Sequence, residues 1–401
     1  MAFRRFLAHT LATFASAGLA ACNLVTGISD LQVDGAGGKG GGAGTSSSGA
    51  GASGTGTGGS TGGAGGASAS SSGSATTSAS SSSGGTGCSP ACGAHAYCET
   101  STMTCVCSPG YVSQGGACTP ALPGDPTTHT QTEVCDRWKQ GHVLTTTTPL
   151  TASGAMCDAG TLSQAAINDT LVRLNMFRWM AGLGPTSADP ALNADAQKCA
   201  NLEAWWPWTG GNPHSPPSTS QCYTAEGAAT AGQSNIAWGS GNPAQAIDQF
   251  MEDSGNETTL GHRRWIINPP LDPVGIGYWQ TGGKYGNAEC LRVFGQSGTG
   301  PKPAWVSMPT PGFVPLEVAK WIWSFHGSIS GIPTAQISML RVDDNAPLSV
   351  TVTQLQQGYA QNAISWKPKG WSVEAGKTYR VTVSGLTGGD VTYDVKPVTC
   401  N

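Results

Sequence analysis

Cysteine is the residue type with the most chemistry to offer in this chain of 401 residues, which holds 13 Cys against 7 His. A thiol can pair in a disulfide, ligate zinc, carry a lipid or act as a nucleophile. An odd total leaves at least one Cys outside any set of pairs. Six of them, Cys88, Cys92, Cys98, Cys105, Cys107 and Cys118, fall within 31 residues with the spacing C-x3-C-x5-C-x6-C-x-C-x10-C. A second six, Cys135, Cys157, Cys199, Cys222, Cys290 and Cys400, spread over the remainder. Their proximity along the chain suggests Cys135 with Cys157, Cys199 with Cys222, and Cys290 with Cys400. A zinc cluster is the alternative for the first six, but only His95 lies among them. Two further patterns bear on catalysis. Gly58-Gly59-Ser60-Thr61-Gly62 matches G-x-S-x-G, yet a nucleophile elbow needs a strand before it and a helix after it, and its small polar neighbours form neither. No H-E-x-x-H occurs, and with every Cys accounted for no activated nucleophile for hydrolysis is evident.

The thirteenth cysteine, Cys22, has its own context. Arg4 and Arg5 precede a mostly apolar stretch, residues 6–19, that is too short and too Ala-rich to span a bilayer comfortably, as in an export signal. Leu19-Ala20-Ala21-Cys22 resembles the bacterial lipobox, which implies a signal peptide over 1–21 and a diacylated Cys22. By resemblance to known sorting rules, Asn23 in place of an acidic residue favours the outer membrane. The expected location is thus the cell surface, with the membrane as a partner through the lipid. Residues 35–87 are almost entirely Gly, Ser, Ala and Thr, with Lys39 the one charge, so they cannot offset the entropy of ordering. A coil of that length spans roughly 40 Å. Residues 22–87 are therefore read as lipidated Cys plus disordered linker. A formal charge of -4, with 11% charged residues, gives no basic field, so nucleic acid is not an expected partner.

The first six cysteines, with Pro109-Gly110-Tyr111 after the C-x-C, resemble an EGF-like module over 88–118. So small a unit lacks the apolar mass to fold by burial alone and needs cross-links. The resemblance implies the pairs Cys88 with Cys98, Cys92 with Cys105, and Cys107 with Cys118. Calcium-binding relatives carry acidic residues before the first Cys; here that segment is Gly84-Gly85-Thr86-Gly87, so no calcium is expected.

After a connecting segment, 119–159, the periodicity turns helical. Ser163 can cap a helix presenting Ile167, Leu171, Leu174 and Phe177, ended by Gly182-Leu183-Gly184-Pro185. Asp189-Pro190 opens a second, through Leu192, Ala196, Cys199 and Trp206 to Pro207; Asn242-Pro243 opens a third, with Ile247, Phe250 and Met251 apolar. Residues 274–279 and 291–294, joined across Gly282-Gly283, read as a hairpin. Helices before and between strands predict an α/β body. Leu174-Asn175-Met176-Phe177-Arg178-Trp179, Leu192-Asn193-Ala194-Asp195-Ala196-Gln197, Ser234-Asn235-Ile236-Ala237, Gly261-His262-Arg263-Arg264-Trp265-Ile266-Ile267-Asn268-Pro269 and Val274-Gly275-Ile276-Gly277 then resemble, in order and spacing, the CAP family of cysteine-rich secretory, antigen 5 and pathogenesis-related proteins. The resemblance covers 160–295 and implies an α-β-α sandwich.

That family gathers two His and two carboxylates in a cleft able to hold a divalent metal or shuttle protons. By the resemblance, His214 and His262 carry over as the imidazoles and Asp253 as one carboxylate. The other falls on Ser234, with Glu226 a candidate substitute from a neighbouring loop. The resemblance thus implies a weak site at His214, His262 and Asp253, and zinc is the one cofactor it suggests; Asp253 accepting a hydrogen bond from one imidazole, which would fix the ring without any metal, is the alternative. The plainer reading makes His262 a local hydrogen-bonding group and His214 an ordinary loop residue. Trp205, Trp206, Trp208, Trp238 and Trp279 can stack on sugars but are read as packing.

Residues 296–401 alternate in short runs, 335–339, 349–353, 363–366, 379–384 and 391–395, separated by Gly370, Gly376 and Gly388-Gly389-Asp390, which predicts a small β-sandwich. Two functions follow. The first is a non-enzymatic binding or adhesion protein for an extracellular protein, glycan or lipid. The second is a metal-dependent hydrolase of cell-wall or protein substrates using His214, His262 and Asp253. Convergence of those side chains, together with whether zinc binds, separates the two.

Overall fold

A computed structural model describes residues 88–205, 211–280, 286–295 and 297–401. The export signal, Cys22, the Gly/Ser linker, the G-x-S-x-G match, Trp206, Trp208 and the Gly282-Gly283 turn lie outside the described residues. Those described belong to one contact unit, with mixed helix and sheet of the α/β class.

The cysteine-rich segment forms two antiparallel ribbons, β1 (Ala96–Glu99) with β2 (Thr104–Cys107) and β3 (Tyr111–Gln114) with β4 (Ala117–Pro120). Disulfides join Cys88 to Cys98, Cys92 to Cys105 and Cys107 to Cys118. The segment is seated on the helical body by directed contacts. His95 stacks on Tyr111 with centroids 4.4 Å apart. Tyr111 Oη donates to Pro185 O at 3.2 Å, and Asn175 Nδ2 donates to Pro109 O at 2.9 Å. Gly110 is needed at this seam, because its φ is +90° and a Cβ would lie 2.6 Å from Pro185.

α1 (Gln131–Gly141) starts in a reciprocal capping box between Thr130 and Glu133. A short ribbon, β5 (Leu150–Thr151) with β6 (Thr161–Leu162), leads to α2 (Gln164–Met180), capped by Ser163. The amphipathic face expected for α2 is only part of its burial, since Asp169, Arg173, Asn175 and Arg178 are buried as well. Arg178 donates to the carbonyls of Gly184, Ile266, Asn268 and Pro269 at 2.8–3.2 Å. Burial pulls its pKa down to about 10, so the guanidinium stays charged near neutrality among those oxygens. α3 (Pro190–Ala204) is capped by Asp189 and stops at Ala204, earlier than the expected extension through Trp206. α4 (Ala225–Ala231), β7 (Ser234–Trp238), α5 (Pro243–Glu252), α6 (Gly261–Ile266), β8 (Gly275–Trp279) and β9 (Ala288–Arg292) follow.

The three strands form an antiparallel sheet in the order β7-β9-β8. α3 lies against one face so closely that a Cβ on Gly277 would sit 2.0 Å from Ala196 O. Gln197 there bonds both Tyr278 N and Tyr278 O, and Trp279 is fully buried. Ile276, Tyr278 and Leu291 pack instead with Phe177, Ile247 and Phe250 of α2 and α5.

Three of the expected disulfides are corrected. Cys135 bonds Cys400 rather than Cys157, Cys157 bonds Cys222, and Cys199 bonds Cys290. Neighbours along the chain were the wrong guide. A disulfide requires Cα atoms about 4.4–6.8 Å apart, and it is the packing of α3 on β9 that brings Cys199 within 6.0 Å of a residue 91 positions away.

Beyond the first sheet come β10 (Trp305–Met308), β11 (Gly312–Pro315), α7 (Leu316–Ala319), β12 (Trp323–Gly327), β13 (Gln336–Arg341), β14 (Ala346–Leu348), β15 (Val350–Gln354), β16 (Asn362–Pro368), β17 (Tyr379–Ser384) and β18 (Val391–Val398). They form two sheets, β10-β12-β16-β15 and β11-β18-β17-β13-β14. Gly370, Gly376, Gly388 and Gly389 all adopt positive φ at the turns. The apolar cluster of Trp323, Phe325, Trp366 and Tyr379 is continuous with that of α2 and α5.

Candidate functional site

The site lies where α5 ends. Asp253 caps the helix in the left-handed region, at φ +56°, and is fully buried. Its Oδ1 accepts from His262 Nδ1 at 2.8 Å and Asn256 Nδ2 at 3.2 Å, and its Oδ2 accepts from Arg263 N at 3.3 Å. The turn is clamped by the next residue's guanidinium. Arg263 donates to Met251 O at 2.6 Å, Glu252 O at 2.9 Å, Ile322 O at 2.6 Å and Ser324 Oγ at 3.0 Å. Free carbonyls at a helix C-terminus are natural partners for such a cation. Burial brings the Arg263 pKa down to about 10, which keeps it charged near neutrality.

His262, in the first turn of α6, is thus oriented by a carboxylate through Nδ1. His214 enters from the loop before α4, and its Nδ1 donates to Ala231 O at 2.9 Å. Burial is the main reason its pKa falls to about 4, with the nearby His262 lowering it further. The ring is therefore neutral at ordinary pH, with Nε2 carrying the lone pair. Both imidazoles line one cavity of about 20 Å³, with Ser234, Asn256, Trp265 and Tyr359 among its walls. That is room for about one water.

The structure therefore brings His214, His262 and Ser234 to one cavity and sets Asp253 directly behind His262. Asp253 takes the hydrogen-bonding alternative to a third ligand: it is the partner of His262 and the cap of α5, so it positions the ring. One expectation is corrected. Glu226 does not line the cavity: it sits in the first turn of α4, more than half exposed, and pairs with Lys198 at 3.7 Å. Ser234 spends its hydroxyl on Thr230 O at 2.8 Å. The donor set that fits a metal is thus the two imidazoles. Among the described residues, the one group of three His, Cys, Asp or Glu atoms close enough to share an ion is Cys88, Cys92 and Cys105, all held in disulfides.

Several residues escaped the sequence reading. Tyr359 reaches the cavity from the turn between β15 and β16, and no local pattern marks it. Glu203 and Glu289 are fully buried, and neither carboxyl has a hydrogen-bond partner among the described residues. Burial pushes both pKa values well up. Glu203 was visible in principle, being one turn beyond Cys199 and Ala200 on the face of α3 that packs inward. Trp279 and Trp238 are packing residues, the latter donating to Glu203 O at 3.1 Å.

Neither the curated proteins nor the solved structures contain a match to the chain. Residues 171–294 match the model of CAP, the cysteine-rich secretory protein family, and His214, Ser234, Asp253 and His262 all fall inside that stretch.

Proposed function

We propose that this chain is an exported, lipid-anchored surface protein whose CAP region works by binding, and that its cleft takes a single divalent cation weakly, zinc being the natural one. In this reading Cys22 carries the lipid, residues 35–87 are a tether, 88–118 is an EGF-like spacer, 160–295 is the α-β-α sandwich of the family, and the last two sheets form a β-sandwich. The observation that carries the cleft assignment is the matched anchoring of the two rings. Each imidazole holds a backbone or carboxylate oxygen through Nδ1, which leaves Nε2 as the nitrogen able to ligate. Two protein ligands are fewer than the three that catalytic zinc sites keep, so affinity is modest.

Binding is favoured over hydrolysis because the carboxylate beside the cleft is fully engaged and buried, so it adds no third ligand to hold an ion that would activate water. The test is equilibrium dialysis of the full chain against Zn²⁺. The expected result is one weakly held ion, lost in His262→Ala. A stoichiometric ion that survives exhaustive dialysis, with peptide or glycan hydrolysis that disappears in the same variant, overturns the reading in favour of a hydrolase. Mass spectrometry of the native N-terminus tests the anchor, and an unmodified residue there removes it.

A further inference from the structure

We propose that Tyr359 is the specificity-determining residue of the His214/His262 cleft: as a fixed wall supplied from outside the CAP-matching stretch, it limits the cleft to a metal ion free of bulky ligands. The inference rests on the cation-binding reading of the cleft and adds to it a limit on ligand size.

Tyr359 lies in the segment between β15 and β16, well past residue 294 where the family match ends. Its ring is 5% exposed and forms part of the cavity that holds both imidazoles. It presses on the start of α6, where a Cβ on Gly261 would come within 2.9 Å of its Cδ1, so glycine is the residue that lets the ring approach. Leu260, in the left-handed region at φ +47°, turns the chain into that approach.

The segment is fastened on both sides of the ring. Arg264 donates to Gln356 O at 2.6 Å before it and to Gln361 O at 2.5 Å after it, and also holds Thr259 O at 3.1 Å on the cleft's own loop. Gln356 N donates to Thr258 O at 2.9 Å. The Arg264 guanidinium carbon stands 5.2 Å from the Tyr359 ring centroid. Arg264 is buried, so its bonds to these carbonyls are not exchanged for water without cost. Gly358 at φ +99° and Ala360 at φ +47° set the tight turn that offers Tyr359 to the cleft. With both flanks bonded to Arg264 of α6, the helix that carries His262, the ring cannot swing out unless several buried hydrogen bonds break together. It therefore acts as a fixed wall and not as a gate.

The experiment compares two probes on the full chain. One is free Co²⁺; the other is Cu²⁺-iminodiacetate, which also seeks imidazole nitrogen but carries a bulky chelator. The wild type is expected to take Co²⁺ and to exclude the chelate. Tyr359→Ala should bind the chelate roughly tenfold or more better, in line with the discrimination a pocket gains from steric exclusion. Adding His262→Ala should cancel that gain, which separates the cleft from surface histidines. Tyr359→Phe, which keeps the ring, should behave as the wild type. Circular dichroism checks folding, and Tyr359→Leu replaces the Ala variant if that variant unfolds. Equal chelate binding by the folded wild type and the folded truncation variants overturns the proposal. If the wild type takes no Co²⁺, the cation reading fails by itself. The wall is then read from diethyl pyrocarbonate modification of His262, located by peptide mass spectrometry: faster modification in Tyr359→Ala upholds it, and an unchanged rate overturns it.

Discussion

Two regions of the same body bury carboxylates in opposite ways. At the end of α5, Asp253 is fully buried and both oxygens accept hydrogen bonds, from His262, Asn256 and Arg263. Around the sheet, Glu203 on α3 and Glu289 on β9 are equally buried and neither carboxyl has a partner among the described residues. The difference teaches where this protein fixes geometry. The partnered carboxylate holds a helix end and an imidazole in one orientation, as a ligand site requires. The unpartnered pair can remain in the interior only as neutral acids, because an isolated charge there costs far more than protonation does.

The largest effect is expected where the partnered group is removed. Asp253→Ala strips His262, Asn256 and the Arg263 amide of their acceptor at once and should destabilise the fold by about 3 kcal/mol, the cost of leaving buried donors unpaired. Chemical denaturation measures it; a loss well below 1 kcal/mol would make the two regions equivalent. The same variant should also free the His262 ring and weaken cation binding in the dialysis assay.

The next effect has the opposite cause. Glu203 and Glu289 have raised pKa values in the fold because of burial, so the unfolded chain ionises first as pH rises. The folded state then binds more protons than the unfolded state, and stability falls as pH climbs above the ordinary glutamate value. The slope is about 1.4 kcal/mol per pH unit for each group while the mismatch lasts. Glu289→Gln removes one such proton difference and should flatten the alkaline side of the stability profile. An unchanged profile would mean that the carboxyl finds a partner in solution.

The smallest effect at neutral pH belongs to His214, whose contribution changes only on acidification. Its pKa is lowered to about 4, chiefly by burial, so between that value and the ordinary histidine value the unfolded chain binds the extra proton. Stability from this group is complete above the ordinary histidine pKa and is lost as pH falls toward 4. His214→Gln should soften the acid limb and leave the alkaline limb alone. Denaturation midpoints at several pH values distinguish the two limbs.

Much of the secondary structure was legible because its causes are local. Ser163, Asp189 and Asn242 cap their helices within a few residues of where they stand in the chain. The glycines at 370, 376, 388 and 389 turn the chain where left-handed backbone is required. The joins among Cys88, Cys92, Cys98, Cys105, Cys107 and Cys118 span at most 13 residues and coincide with the pairs the resemblance implies. β10, β11 and β12 went unread, since Pro-rich surroundings and the lack of clean alternation hid strands that pair with distant partners.

By itself, then, the sequence determined the α/β class and the capped helices, which depend on residue type and spacing over a turn or two, while the short-range cross-links and the two imidazoles could be named only through the family resemblances. Tertiary structure alone decided that Cys199 meets Cys290, that Asp253 serves His262 instead of a metal, that Glu226 faces Lys198, and that Tyr359 closes the cleft. Each of these outcomes depends on which side chain arrives first in a shared space, and sheet pairing and helix packing set that over separations from nine residues to nearly a hundred. Local propensity carries no information at such range, because the competing partners are chemically alike until the fold gives one of them the shorter distance.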